Sequence, residues 1–202
     1  MLFAHPALEK SRVNRRLATE VRDLAGVTFN DLYEAYPDFD VDVRREQQLL
    51  GGHDVVVLQH PFYWYSTPAL VKQWEDLVLE HGWAYGTGGT ALRGKWWLSA
   101  LTTGGRESAY RPDGLNRLTI RELLAPLEQT ARLCGMEFLP PFVVHGTHRL
   151  ETDGVEKAAR EYRCALEALR DDRVDLQAAR LHPYLNTRLD AVVRLPAPGH
   201  AR

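Results

Sequence analysis

Four short stretches of this 202-residue chain carry side chains suited to holding a flat, phosphate-bearing organic ligand. In the first, Ala4-His5-Pro6 is followed by Ser11 and Asn14, at the point where an apolar run gives way to a helical pattern. Unpaired N–H groups and the dipole at such a helix start favour an anion. Ser11 could cap the helix and give its hydroxyl to a phosphate oxygen, Asn14 faces the same end one turn later, and His5 could donate from its ring. A plain N-cap would also explain Ser11, and on the residues alone both readings stand. Lys10, Arg12, Arg15 and Arg16 read as a solvated basic face.

The second stretch, Gln59-His60-Pro61-Phe62-Tyr63-Trp64-Tyr65, ends an apolar run with more aromatics than a plain loop needs. Open parallel sheets bind ligands at the carboxyl ends of their strands. Phe62, Tyr63, Trp64 and Tyr65 there could wall a conjugated ring, or pack beneath the following helix. The third, His81-Gly82-Trp83-Ala84-Tyr85-Gly86, leads into Gly86-Thr87-Gly88-Gly89, which lacks the spacing and lysine of a phosphate-cradling P-loop. The fourth, Thr102-Thr103-Gly104-Gly105, ends another apolar run; paired glycines let backbone approach a flat ligand while hydroxyls supply hydrogen bonds. A tight turn would look the same. His145 and His148 are near neighbours, but no carboxylate or cysteine at suitable spacing completes a metal site, and none is expected. His60 and His81 read as hydrogen-bonded structural histidines, and no nucleophile elbow occurs.

Such segments need a sheet to bring them together. Apolar runs at residues 2–4, 27–32, 54–59, 95–102 and 137–145 alternate with helical patterns. That alternation marks an α/β fold with a parallel sheet covered on both faces. Helices are expected over residues 11–25, with Val13, Leu17, Val21 and Leu24 on one stripe, and over residues 41–50. A third spans 67–81, with Thr67 as cap, Pro68 at the first helical position, and Leu70, Trp74, Leu77 and Val78 facing inward. Residues 119–134 form a fourth, stopped by Gly135, and 152–169 a fifth. Residues 1–175 then make one domain and 176–202 an extension, in which 176–193 packs as an extra helix or crosses to a partner subunit and 195–202 is disordered. Only Met1 to Ala4 precede His5, so the first strand is short or the start lies too far downstream.

Composition narrows the function classes. With 25 basic against 27 acidic residues and a pI near 6.4, the chain has no global positive field for nucleic acid. Two cysteines far apart, Cys134 and Cys164, imply neither a disulfide framework nor a thiolate metal site and fit a reducing cytoplasm. No run approaches the length of a spanning helix and no signal-peptide layout opens the chain, so a soluble protein that is not exported is expected.

Taken together, the four stretches resemble the flavodoxin-like NAD(P)H:quinone oxidoreductases, closest to the ancillary proteins of glutathione-regulated potassium-efflux systems, over about residues 4–147. The resemblance implies a flavodoxin-like three-layer sandwich with a five-stranded parallel sheet. It implies FMN as cofactor, with FAD an alternative, and NADH or NADPH as donor. Two electrons pass to a quinone or similar acceptor by a ping-pong mechanism, in a homodimer. It places His5, Ser11, Arg12, Val13 and Asn14 around the flavin phosphate and Phe62, Tyr63, Trp64 and Tyr65 against the ring. Thr102, Thr103, Gly104 and Gly105 meet the pyrimidine edge, while Trp83 and Tyr85 line the acceptor pocket. Tyr110 matches the family's acceptor-side tyrosine; Asn116 stands where some relatives carry a histidine, and an amide cannot relay a proton near neutral pH. The alternative is a regulatory subunit docked on a potassium-efflux transporter at the inner face of the membrane, with little turnover of its own.

Overall fold

A computed structural model describes residues 1–194; the expected disorder of 195–202 lies outside the described residues. The strands are β1 (Leu2–Phe3), β2 (Asn30–Asp31), β3 (Val55–Pro61), β4 (Trp96–Thr102), β5 (Glu137–Phe138) and β6 (Phe142–Val144). All pair in parallel, in the order β2-β1-β3-β4-β5, with β6 also on β4. This is the doubly wound order of flavodoxin-like folds, whose ligands sit at the carboxyl ends of the strands. The expected fifth strand is two pieces on one edge of β4. Pro140 and Pro141 interrupt it, because proline brings no N–H to a ladder. β1 is short, yet pairing extends past it on both sides: Asn30 N–H donates to the Met1 carbonyl at 2.9 Å and Ala4 N–H to the Gln59 carbonyl at 3.0 Å.

Beyond their first residues β3 and β4 are buried throughout, and successive side chains enter opposite layers. Val56, Leu58, Trp97 and Leu101 join one apolar core. Val57, Leu98 and Ala100 join the other. Over the first lie α2 (Leu32–Ala35), α3 (Val43–Gly51), α4 (Ala69–Val78), α5 (Ile120–Leu123) and α6 (Ala125–Leu133). Over the second lie α1 (Arg12–Val21) and α7 (Thr152–Arg170). The expected stripe of α1 is buried at Val13, Leu17 and Val21.

Two helices depart from expectation. Pro68 is itself the N-cap of α4, with ψ of 150°, so Thr67 caps nothing; Leu77 is 38% exposed and does not face the core. The single helix expected over 119–134 divides at Leu124, where Pro126 cannot supply a helical donor to the preceding turn. Gly135, at φ 74°, ends α6 in the left-handed conformation glycine tolerates.

After α7, α8 (Leu176–Arg180) and α9 (Leu189–Val192) pack on the same chain, adding Ala179, Leu185 and Val192 to the second core. No helix among the described residues is long and apolar enough to cross a membrane.

Candidate functional site

A cleft of about 820 Å³ opens at the carboxyl ends of β1, β3, β4 and β6. Ser11 caps α1 there: its Oγ accepts from the Asn14 N–H and from Asn14 Nδ2, both at 3.3 Å. With those donors taken up, the Ser11 hydroxyl proton is free for a ligand oxygen. The N–H groups of Arg12 and Val13, in the first helical turn, lack intrahelical acceptors. His5 Nδ1 accepts from the Ala7 N–H at 3.1 Å, which puts the proton of the neutral ring on Nε2. Burial pushes the His5 pKa down, with Glu9 opposing, so the ring is a neutral donor at neutral pH. The Arg12 guanidinium donates to the Leu150 carbonyl, and both residues line the cleft.

Asn14 ties this end to the middle of the cleft. Its Nδ2 donates to Thr102 Oγ1 at 2.8 Å, and its carbonyl accepts from Gln59 Nε2 at 3.2 Å. Its Oδ1 is buried without a hydrogen-bond partner among the described residues. Closed off from the cleft surface, such an acceptor calls for an enclosed water.

Phe62, Tyr63 and Trp64 form the aromatic wall, with the Tyr63 ring edge-on to His5 at 6.0 Å. Trp64 and Tyr65 take left-handed φ values of 49° and 65° in a tight turn closed by Ser66 N–H on the Tyr63 carbonyl at 3.0 Å. Such backbone costs a non-glycine residue energy, and this turn throws Trp64 into solvent at 93% exposure. Gly104 supplies the opposite side, where a Cβ would lie 2.6 Å from His148 Nε2.

Ten of the expected site residues line the cleft: His5, Ser11, Arg12, Val13 and Asn14 on one side, and Phe62, Tyr63, Trp64, Thr102 and Gly104 on the other. The other five lie outside its lining. Thr103 Oγ1 donates to the Gly105 carbonyl at 2.8 Å, and the buried Tyr110 ring packs against Gly105, Phe62 and His145. Burial raises the Tyr110 pKa, keeping its phenol protonated. Tyr65 donates its hydroxyl to Asn116 Oδ1 at 3.3 Å, so Asn116 braces the aromatic turn. Of the third stretch, Tyr85 lines a separate cleft with Glu75 and Cys134, while Trp83 packs on the first core. His60 is fully buried, donating Nδ1–H to the Pro61 carbonyl, and burial pushes its pKa down to about 4.

Sequence reasoning missed one wall, formed by Thr147, Arg149, Leu150 and Glu151 with His148. They follow β6 directly, and their place after a strand's carboxyl end was the available signal. His145 and His148 do not pair: one faces Thr103, the other the cleft.

Comparison with known proteins places the chain. The profile of the flavodoxin-like fold family matches residues 1–167. Over 162 residues, 80% of this chain and 88% of the relative, it is 50% identical to the glutathione-regulated potassium-efflux system ancillary protein KefG of Pectobacterium carotovorum subsp. carotovorum. General stress protein 14 of Treponema denticola, solved in complex with FMN, superposes with a TM-score of 0.80 at 40% identity, covering 83% of this chain and 97% of that one. An NADPH-quinone reductase from P. pentosaceus superposes with a TM-score of 0.74 at 33% identity, over 81% and 94% of the two chains.

Proposed function

The chain belongs to the flavodoxin-like fold family, and from that premise we propose that it binds FMN and passes two electrons from NAD(P)H to a quinone or similar acceptor. The observation that carries this reading is the cleft, which sets the Ser11 hydroxyl, the His5 donor and the α1 N–H groups at one end and an aromatic wall beside Thr102 and Gly104 at the other. The FMN-bound relative supports the same cofactor.

FMN, when bound, supplies the two-electron redox chemistry. The protein's part is to bind and orient. Ser11, His5 and the backbone of Arg12 and Val13 hold the phosphate. Phe62, Tyr63 and Trp64 wall the ring, with Tyr65 held by Asn116. Thr102 and Gly104 meet the pyrimidine edge, and Thr103, Gly105 and Tyr110 support that edge from behind. Asn116 cannot relay a proton and Tyr110 stands back from the cleft, so the acceptor's protons come from water. One open cleft admits donor and acceptor in turn, which gives ping-pong kinetics in a homodimer. The test is anaerobic: NADPH or NADH should bleach the oxidised-flavin band of the FMN-loaded protein, and a soluble quinone should restore it.

A second reading rests on the 50% identity to KefG: the chain docks on a potassium-efflux transporter and turns over little. Bound FMN that neither nucleotide reduces, together with co-purification with such a transporter, would select it.

A further inference from the structure

The family match ends at residue 167, yet the chain after α7 returns to the carboxyl end of the sheet. Among the described strands β6 bonds β4 on one side only, and an edge strand otherwise leaves its outer N–H and C=O groups bare. Asn186 takes both of these groups at Val143: its Oδ1 accepts from the Val143 N–H at 3.0 Å, and its Nδ2 donates to the Val143 carbonyl at 3.0 Å. Leu185 N–H adds a bond to the Pro141 carbonyl at 2.9 Å. One carboxamide and one amide thus stand where a neighbouring strand would.

What β6 holds in turn is the Thr103–Gly105 turn. Thr103 N–H donates to the Val144 carbonyl at 2.9 Å, Thr147 N–H to the Thr103 carbonyl at 3.0 Å, and Gly146 N–H to the Gly105 carbonyl at 2.9 Å. Tyr184 provides a second route. Its ring centroid lies 5.2 Å from that of His145, whose other aromatic neighbour is Tyr110 at 5.7 Å. His145 Nδ1 meets Thr103 Oγ1 at 3.1 Å, and that hydroxyl already donates to the Gly105 carbonyl. The imidazole must therefore be the donor, with its proton on Nδ1. Burial takes the His145 pKa down to about 4, against the opposing charge of Glu107, so the neutral tautomer persists at neutral pH.

We infer that Tyr184, Leu185 and Asn186 are positioning residues for the cofactor cleft: they pin β6 and His145, and through them the Thr103–Gly105 turn at its edge. The identity of the cofactor rests on the flavin reading; the coupling of extension to turn does not.

The experiment uses the full chain with Asn186→Ala, Tyr184→Ala, Tyr184→Phe and, as a control, Val192→Ala, which opens a cavity at a fully buried residue of α9. Amide hydrogen exchange at Thr103, Gly146 and Thr147, FMN affinity and melting temperature are measured on each. Loss of the Asn186 bonds or the Tyr184 ring should speed exchange at those amides and weaken FMN binding, each by about five- to tenfold. Tyr184→Phe should restore both, and Val192→Ala should lower the melting temperature while changing neither. Should Asn186→Ala fail to fold, Tyr184→Leu removes the ring while keeping most of the buried volume and is read on the same amides. Unchanged exchange in the Asn186 and Tyr184 variants, faster exchange with unchanged FMN affinity, or the same changes in Val192→Ala would overturn the inference. If the wild-type chain binds no FMN while exchange still responds, the flavin reading falls and the coupling stands.

Discussion

Asn14 joins the Ser11 end of the cleft to its middle, and Trp64 stands out at its rim at 93% exposure, so the two separate binding from folding. Removing the Asn14 side chain takes a donor from both Thr102 Oγ1 and Ser11 Oγ. Asn14→Ala should weaken FMN binding by roughly tenfold and lower the melting temperature by a few degrees, consistent with about 1–2 kcal/mol for a buried hydrogen bond. Trp64 is different, because its side chain buries almost nothing and its backbone is left-handed. Trp64→Gly should weaken FMN binding roughly three- to tenfold, the value of about one aromatic contact, with no fall in melting temperature because glycine adopts that φ without strain. A melting temperature several degrees below wild type would show that the ring serves the fold. The residue types of the site were legible in the sequence, as were the positions of His5, Ser11, Asn14 and Phe62. Their bonding was not: Asn14 meets Thr102, 88 residues away, and no local pattern encodes that distance. Tyr110 and Asn116, placed on the acceptor side by the family resemblance, show the same limit: Tyr110 packs against Gly105, and Asn116 accepts from the Tyr65 hydroxyl.

At the scale of elements, helices α1 and α7 were readable from apolar periodicity, and the divided α5–α6 was not, because Pro126 outweighs a continuous stripe. The surface of α4 holds a testable charge. Glu75 lies largely buried beside Leu79 and Cys134, and burial raises its pKa to about 7, with Lys72 opposing. The folded carboxyl holds its proton more tightly than the unfolded one, whose ordinary value is 4.5. Its contribution is thus fully present below that value and is lost as pH rises through about 7. Glu75→Gln should therefore stabilise the protein more at pH about 8 than at pH about 5, by on the order of 1–2 kcal/mol after solvent screening. Urea melts at the two pH values measure this, and an equal effect at both would place the carboxyl in water.

Across the whole molecule, the parallel sheet covered on both faces was legible in the alternation of strands and helices, and its flavodoxin-like arrangement in the family resemblance. The break in the fifth strand was legible in Pro140-Pro141 only once β4 supplied the ladder against which a missing donor matters. Beneath the cleft, His60 sits fully buried in β3 with a pKa of about 4 against an ordinary 6.5. The unfolded ring gains its proton first as pH falls, so stability present above about 6.5 is lost on the way down through 4. The loss should reach about 3 kcal/mol at most, and His60→Phe should retain stability at acid pH where the wild type declines. Parallel acid-unfolding curves for the two would contradict this.

The cover over β6 also sets an order in time. Val143 and the side chain that completes it are 43 residues apart, and the ribosome delivers them in that sequence. While the chain grows, the sheet can assemble from β1 to β6 with one border still bare, a surface apt to pair with other nascent chains. The border closes only when Tyr184 to Asn186 emerge. A cofactor that needs a settled Thr103–Gly105 turn is therefore captured late, after the rest of the sheet has formed.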